Sequence, residues 1–209
     1  MTTPRGSSTR GPDVTPSAGR AALGRVIARG RAREVAERCE LCGLDVPERH
    51  AHVLDEEREE LLCACRACAL LFERDAAARG QYRLVPDRRV RLTGLTPAEL
   101  GVPVGLAFFV VRPDGTVSAH YPSPLGATRF ELDPRVWERV VAECDVLRTL
   151  RPSVEALLIN TARGADEQWL VPIDDCHRLV SVVRGHWQGL SGGTRVWKEV
   201  AEFFARLAD

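Results

Sequence analysis

Two short stretches of the chain, residues 39–43 and 63–68, read CELCG and CACRAC. Each contains a pair of cysteines separated by two residues, and the four are Cys39, Cys42, Cys65 and Cys68. The CxxC spacing lets both sulfurs of a pair face the same side, and two such pairs are a ligand set that tetrahedral zinc commonly uses. The sequence therefore predicts a structural Zn²⁺ site made of four thiolates.

Other ligands and another metal remain open at this point. Cys63 lies in a predicted strand and breaks the symmetry of the two pairs, so we interpret it and His52 as substitute ligands. Iron is the alternative metal, since a rubredoxin-type site uses the same four sulfurs and an iron–sulfur cluster could include Cys63. Rubredoxin knuckles normally have glycine after the second cysteine. Gly43 meets that requirement but Ala69 does not, which favours zinc.

The residues between the two pairs predict the layout of the module. Residues 50–54 and 60–63 resemble strands joined by an acidic stretch, and residues 65–72 are apolar enough to begin a helix. A knuckle, a hairpin and a helix in this order are typical of a treble-clef or ribbon-like zinc module. We predict that this module spans residues 39–80.

Residues 81–209 predict an α+β domain with an antiparallel sheet packed against helices. Residues 81–92 alternate like a strand, residues 106–111 and 116–121 flank a turn, and residues 154–160 and 168–171 are two more strand-like runs. Helical spacing of apolar residues predicts three helices. They begin at Asp133–Pro134, near Asp174 and at a capping Thr194.

The N-terminal residues differ in composition from the rest. Residues 1–19 are rich in Thr, Pro, Gly, Ser and Arg and predict a disordered tail, and residues 20–38 predict a short helix. Across the chain, 29 basic residues balance 29 acidic residues, which argues against nucleic acid as a partner. There is no apolar run long enough for membrane insertion and no signal-like block, which predicts a cytoplasmic protein.

The sequence offers no convincing catalytic set, so we predict a protein that is not an enzyme. Cys176 and His177 are adjacent, but neighbours on a helix point about 100° apart and cannot act as nucleophile and base. Cys176 is better interpreted as a core residue. Two surfaces are candidates for recognition, the YPSPLGAT stretch at residues 121–128 and the acidic hairpin turn.

The first cysteine pair, with His50 and His52, resembles the opening of HNH endonucleases, which are treble-clef proteins. In these enzymes the first histidine activates water beside a catalytic metal. The following helix should supply a further metal-binding histidine, but the sequence there reads CRACALLFERDA and contains none. The resemblance covers about 35 residues and implies a degenerate, HNH-like nuclease as a further alternative.

A wider resemblance covers almost all residues after 38. It rests on the strings CELCG, CACRACALLF, YRLVPDRRVRL, PVGLAFFV, YPSPLGAT, VEALLIN, WLVPIDDC and GLSGG. These strings resemble an uncharacterised bacterial family whose genes accompany those of high-affinity uptake nickel–iron hydrogenases. The resemblance implies an accessory or adaptor protein that helps a hydrogenase mature or function. Its implied partners are hydrogenase subunits or maturation factors, and it implies no catalytic residues.

Overall fold

The computed structural model describes residues 37–73, 81–102, 105–189 and 191–208. The predicted tail over 1–19 lies outside these ranges, as does the helix predicted over 20–38 except for its last two residues. Arg38, the last of them, pairs with Asp45 in an isolated β-bridge. Among the described residues, none of the helices has the length and apolar character needed to cross a bilayer.

A small antiparallel sheet follows the first cysteine pair. Its described strands are β1 (Ala51–Asp55), β2 (Glu60–Ala64) and β3 (Tyr82–Leu84), in the order β2-β1-β3. Strands β1 and β2 form the predicted hairpin, and the short helix α1 (Arg66–Leu70) begins directly after it. Leu54 and the partly buried Leu61 face the main hydrophobic core, so this small sheet is anchored to the rest of the fold.

The larger sheet is antiparallel at every described pairing. Its strands are β4 (Val90–Arg91), β5 (Leu106–Val111), β6 (Val117–Ser123), β7 (Gly126–Glu131), β8 (Glu155–Asn160) and β9 (Glu167–Pro172). Their spatial order is β4-β9-β8-β5-β6-β7 within the described ranges. The mixed helix and antiparallel-sheet architecture predicted from the sequence is thus confirmed.

Helices cover both faces of this sheet. Helix α2 (Pro134–Glu143) packs on one face, and α3 (Ile173–His186) and α4 (Gly193–Leu207) pack on the other. Because side chains alternate along a strand, Phe108 faces α3 and α4 whereas Phe109 faces α2. Strand β8 is buried along its whole length, because its alternating side chains pack into the cores on both faces of the sheet.

Two local predictions need correction. The alternating residues 81–92 form two strands in different sheets, because the chain leaves the first sheet near Pro86, which cannot donate a backbone hydrogen bond. The predicted cap at Thr194 is also wrong. Gly192, with φ of 84°, is the N-cap of α4, and Thr194 lies inside the first turn.

The start of helix α3 is where the two sheets meet. Nδ1 of His52 on β1 lies 3.1 Å from Oδ2 of Asp174, and the guanidinium of Arg89 binds the neighbouring Asp175. Val85, which follows β3, donates its N–H to the carbonyl of His52 and packs into the same core as α3. The cysteine-containing module is therefore held against the larger sheet through the first residues of one helix.

Candidate metal centre

The first cysteine pair lies in a tight backbone turn. The N–H of Gly43 donates to the carbonyl of Cys39 at 2.7 Å, and the N–H of Cys39 donates to the carbonyl of Leu44 at 2.8 Å. Gly43 has a φ of 75°, a conformation that glycine adopts without strain. This turn explains why the sequence has glycine directly after Cys42, and it directs both sulfurs to one side.

The second pair lies where strand β2 ends and helix α1 begins. Cys65 is the N-cap residue of α1, and Cys68 lies three residues later within the helix. Residues at this spacing lie on the same face of a helix. The second pair is thus a helical turn, unlike the glycine-containing turn of the first pair.

The fold brings all four predicted cysteines together. Their Sγ atoms lie within 4.8 Å of one another, and those of Cys42 and Cys65 are 3.7 Å apart. A Zn–S bond of about 2.3 Å places the sulfurs of a regular tetrahedron about 3.8 Å apart. The four cysteines could therefore hold one metal ion, with Cys39 and Cys65 buried and Cys42 exposed.

Hydrogen bonds and the closeness of the sulfurs give these thiols different pKa values. Burial alone would raise the pKa of Cys39, but backbone N–H groups of Cys65, Leu41 and Cys42 outweigh it and lower the pKa to about 6. Hydrogen bonds with Cys42 and Cys65 raise the pKa of Cys68 to about 12. One thiolate forms readily in this group, whereas four adjacent thiolates need a cation to offset their mutual repulsion.

The two substitute ligands predicted from the sequence belong to a different group. His52 and Cys63 are paired directly across the β1–β2 hairpin. A ring nitrogen of His50, a ring nitrogen of His52 and Sγ of Cys63 lie within 4.8 Å of one another. Sequence reasoning identified all three residues but not their grouping, which depends on the register of the hairpin.

Comparison with known protein families finds a match that includes both the cysteine cluster and the larger sheet. A family match extends over residues 38–209, which is most of the chain. The chain belongs to the Family of unknown function (DUF5947). No curated protein and no solved structure shows significant similarity to it.

The remaining cysteines of this DUF5947 chain are core residues. Cys144 packs with α2, and Cys176 lies fully buried in α3. Burial raises the pKa of Cys176 well above its usual value, and the carboxylates of Asp175 and Asp174 raise it further. A thiol held neutral in this way is unsuited to nucleophilic attack, which agrees with the interpretation of Cys176 as a packing residue.

Exposed apolar side chains are concentrated around the four-cysteine cluster. Seven large apolar side chains are exposed among the described residues, and four of these lie within three positions of a cluster cysteine. Those four are Leu41, Leu44, Leu70 and Leu71. Leu44 and Leu71 expose 60% and 63% of their surface to water, which is an unfavourable arrangement unless another molecule covers them.

The other two predicted recognition surfaces differ in character. Strands β6 and β7 form a tight hairpin within the YPSPLGAT stretch, and Leu125 at its turn is 96% exposed. The acidic turn between β1 and β2 is instead held by ion pairs with other parts of the same chain. Glu59 in this turn lies 2.7 Å from Arg112 and 3.1 Å from Arg129, so its charge is already paired.

Proposed function

We propose that this protein is a non-catalytic accessory protein in which a structural zinc ion stabilises a treble-clef-like module that binds a protein partner. The observation that carries the proposal is the convergence of four cysteine sulfurs within 4.8 Å. Four thiolates complete a tetrahedral shell and leave no position for substrate or water, which is the arrangement of structural rather than catalytic zinc sites.

The local backbone supports zinc and the treble-clef layout. A turn carrying the first pair, a β-hairpin and a helix carrying the second pair follow one another along the chain. Ala69, which follows Cys68, is a buried residue of helix α1. The second pair therefore does not form the glycine-containing knuckle of a rubredoxin site, and this favours zinc over iron.

The apolar side chains around the cluster support a protein partner. Leu44 comes two residues after Cys42 and Leu71 three residues after Cys68, and the sulfurs of those two cysteines belong to the same cluster. A metal-fixed module can hold such side chains rigidly and so reduce the entropy lost on binding. The family resemblance suggests hydrogenase subunits or their maturation factors as partners, in the cytoplasm.

The metal is tested by elemental analysis and a visible absorption spectrum of the same purified sample. Zinc without colour is expected. Iron with a charge-transfer band would instead favour the second candidate, a rubredoxin-like electron carrier. The exposure of Cys42 supports that candidate, because a ligand sulfur at the surface gives electrons a short route to a partner.

The partner is tested by measuring binding of the purified chain to isolated subunits of a nickel–iron hydrogenase. The double variant Leu44→Asp/Leu71→Asp should weaken binding at least tenfold, because it places charge on the apolar surface. Val146→Asp is the matched control, since this valine is an exposed apolar residue outside both predicted recognition surfaces. Equal binding by the double variant and the control would contradict the proposal.

A further inference from the structure

We propose that His50, His52 and Cys63 form a second metal site, separate from the four-cysteine centre, that binds one Zn²⁺ ion. Two imidazole nitrogens and one thiolate are ligands that zinc accepts readily. The site belongs to the β1–β2 hairpin and does not depend on the identity of the metal at the four cysteines.

The hairpin places the three side chains on one face. His52 of β1 is directly opposite Cys63 of β2, and directly opposed residues have Cβ atoms about 4.5–5.5 Å apart. His50 is the residue immediately before β1, and its ring nitrogen lies within 4.8 Å of the other two ligand atoms. The rings of the two histidines are 4.7 Å apart between centroids.

His50 has the hydrogen bonding expected of a metal ligand. Its Nδ1 lies 2.8 Å from the carbonyl oxygen of Pro47. A carbonyl oxygen can only accept, so Nδ1 carries the proton and Nε2 carries a lone pair. The side chain is 4% exposed, and its Nε2 is buried without a hydrogen-bond partner. A buried polar atom left unpaired is destabilising, and a metal ion would satisfy it.

His52 is oriented in the same way by a more distant part of the chain. Its Nδ1 lies 3.1 Å from Oδ2 of Asp174, the second residue of helix α3. The carboxylate accepts the proton of Nδ1 and leaves Nε2 free. Carboxylate–histidine–metal arrangements of this kind fix the ring and strengthen it as a ligand. Both histidines thus present Nε2 while a fixed oxygen holds Nδ1.

The charges around the three ligands favour a cation. The carboxylate of Glu40 accepts from the backbone N–H of Cys63 at 2.7 Å, and the carboxylate of Glu37 lies 3.6 Å from Nδ1 of His50. Asp174 adds a third negative charge behind His52. Three protein ligands leave one position of a zinc tetrahedron for water or an added donor, which distinguishes this site from the closed four-cysteine site.

Metal stoichiometry of the full chain tests the proposal. Apo protein, prepared with a chelator under reducing conditions, is titrated with Zn²⁺ and the bound ion is counted. The wild-type chain should bind two equivalents, and His50→Ala and Cys63→Ser should each bind one. His186→Ala, which changes a histidine at the end of α3, is the matched control and should bind two. His50→Ala and Cys63→Ser variants that bind as much Zn²⁺ as the wild-type chain would overturn the proposal.

X-ray absorption of the zinc-saturated wild-type protein gives an answer that does not depend on how well the variants fold. Two sites with these ligands should show imidazole scattering together with sulfur scattering. A spectrum with sulfur ligands alone would show that the histidines do not bind the ion, and would equally overturn the proposal.

Discussion

The guanidinium of Arg89 binds the fully buried carboxylate of Asp175 through two contacts, 2.6 Å from Nε to Oδ2 and 3.3 Å from Nη2 to Oδ1. Arg89 immediately precedes the edge strand β4, and Asp175 lies in the first turn of α3. The pair therefore fixes the chain between the two sheets to the helix that also carries Asp174.

Removing Arg89 should destabilise the protein strongly, because it leaves a buried carboxylate without its main partner. We expect Arg89→Ala to lower the free energy of unfolding by about 3–5 kcal/mol in urea denaturation. Arg178 also contacts Asp175, at 2.8 Å, but its side chain is 56% exposed. Arg178→Ala should therefore have an effect below about 1 kcal/mol, and equal effects of the two variants would contradict this account.

Removing the metal should unfold the small module and leave the larger sheet intact. Structural zinc contributes folding free energy directly, whereas strand β8 is buried between two layers of helices. After chelation, hydrogen exchange should accelerate in residues 39–73 and stay slow in residues 155–160. Cys39→Ser should reproduce the effect without chelator. Unchanged exchange in both segments would argue against a structural metal.

His120 should make stability depend on pH. Its ring stacks on Phe108 at 4.7 Å, and burial, followed by the charge of Arg129, lowers its pKa from 6.5 to about 4. The unfolded chain then binds more protons between these values, so the folded state loses stability as the pH falls from about 6.5 towards 4.

Substitution of His120 isolates this contribution. Unfolding free energies of wild-type protein and His120→Gln should be compared between pH 7 and pH 5, where the variant should lose less stability. The cysteines, His50 and His52 are the same in both proteins, so the difference in slope belongs to His120. Parallel pH profiles would show that this histidine does not titrate differently in the folded state.

Gly105 should tolerate no side chain. Its φ is 71°, and an added Cβ would lie 2.7 Å from the backbone nitrogen of Ala162. Gly115 has a φ of 85° but no neighbour within 4 Å of the added atom. Gly115→Ala should cost about 1 kcal/mol for its backbone conformation, and Gly105→Ala should cost about 1–3 kcal/mol more through the clash. Thermal denaturation of the two variants measures the difference.

Features governed by local physics were predictable from the sequence. The turn after Cys39 requires glycine at residue 43, and the cap at Asp133 needs only its own side chain and the N–H of Arg135, 2.9 Å away. The central strand β8 was predictable from its continuous apolar run. Each of these depends on residues that are close together along the chain.

Features governed by pairing between distant segments were not predictable in the same way. Strand β7 was missed because five of its six residues are exposed, so it lacks the alternation that marks a half-buried strand. Apolar and charged residues alternate on both sides of Pro86 as they do in strands. This alternation does not determine which sheet each strand joins. The register of β1 against β2, and with it the grouping of His52 with Cys63, follows from the hairpin as a whole.

The sequence by itself determined that two CxxC pairs exist and that each can direct two sulfurs to one side, because that geometry is set within four residues. It also predicted that the two pairs serve one ion, and the tertiary structure brings their sulfurs within 4.8 Å of one another. Only the tertiary structure decided that His50, His52 and Cys63 form a separate group. The contact between His52 and Asp174 joins residues 122 positions apart. Such contacts depend on strand register and on the packing of a helix against two sheets, which no local pattern specifies.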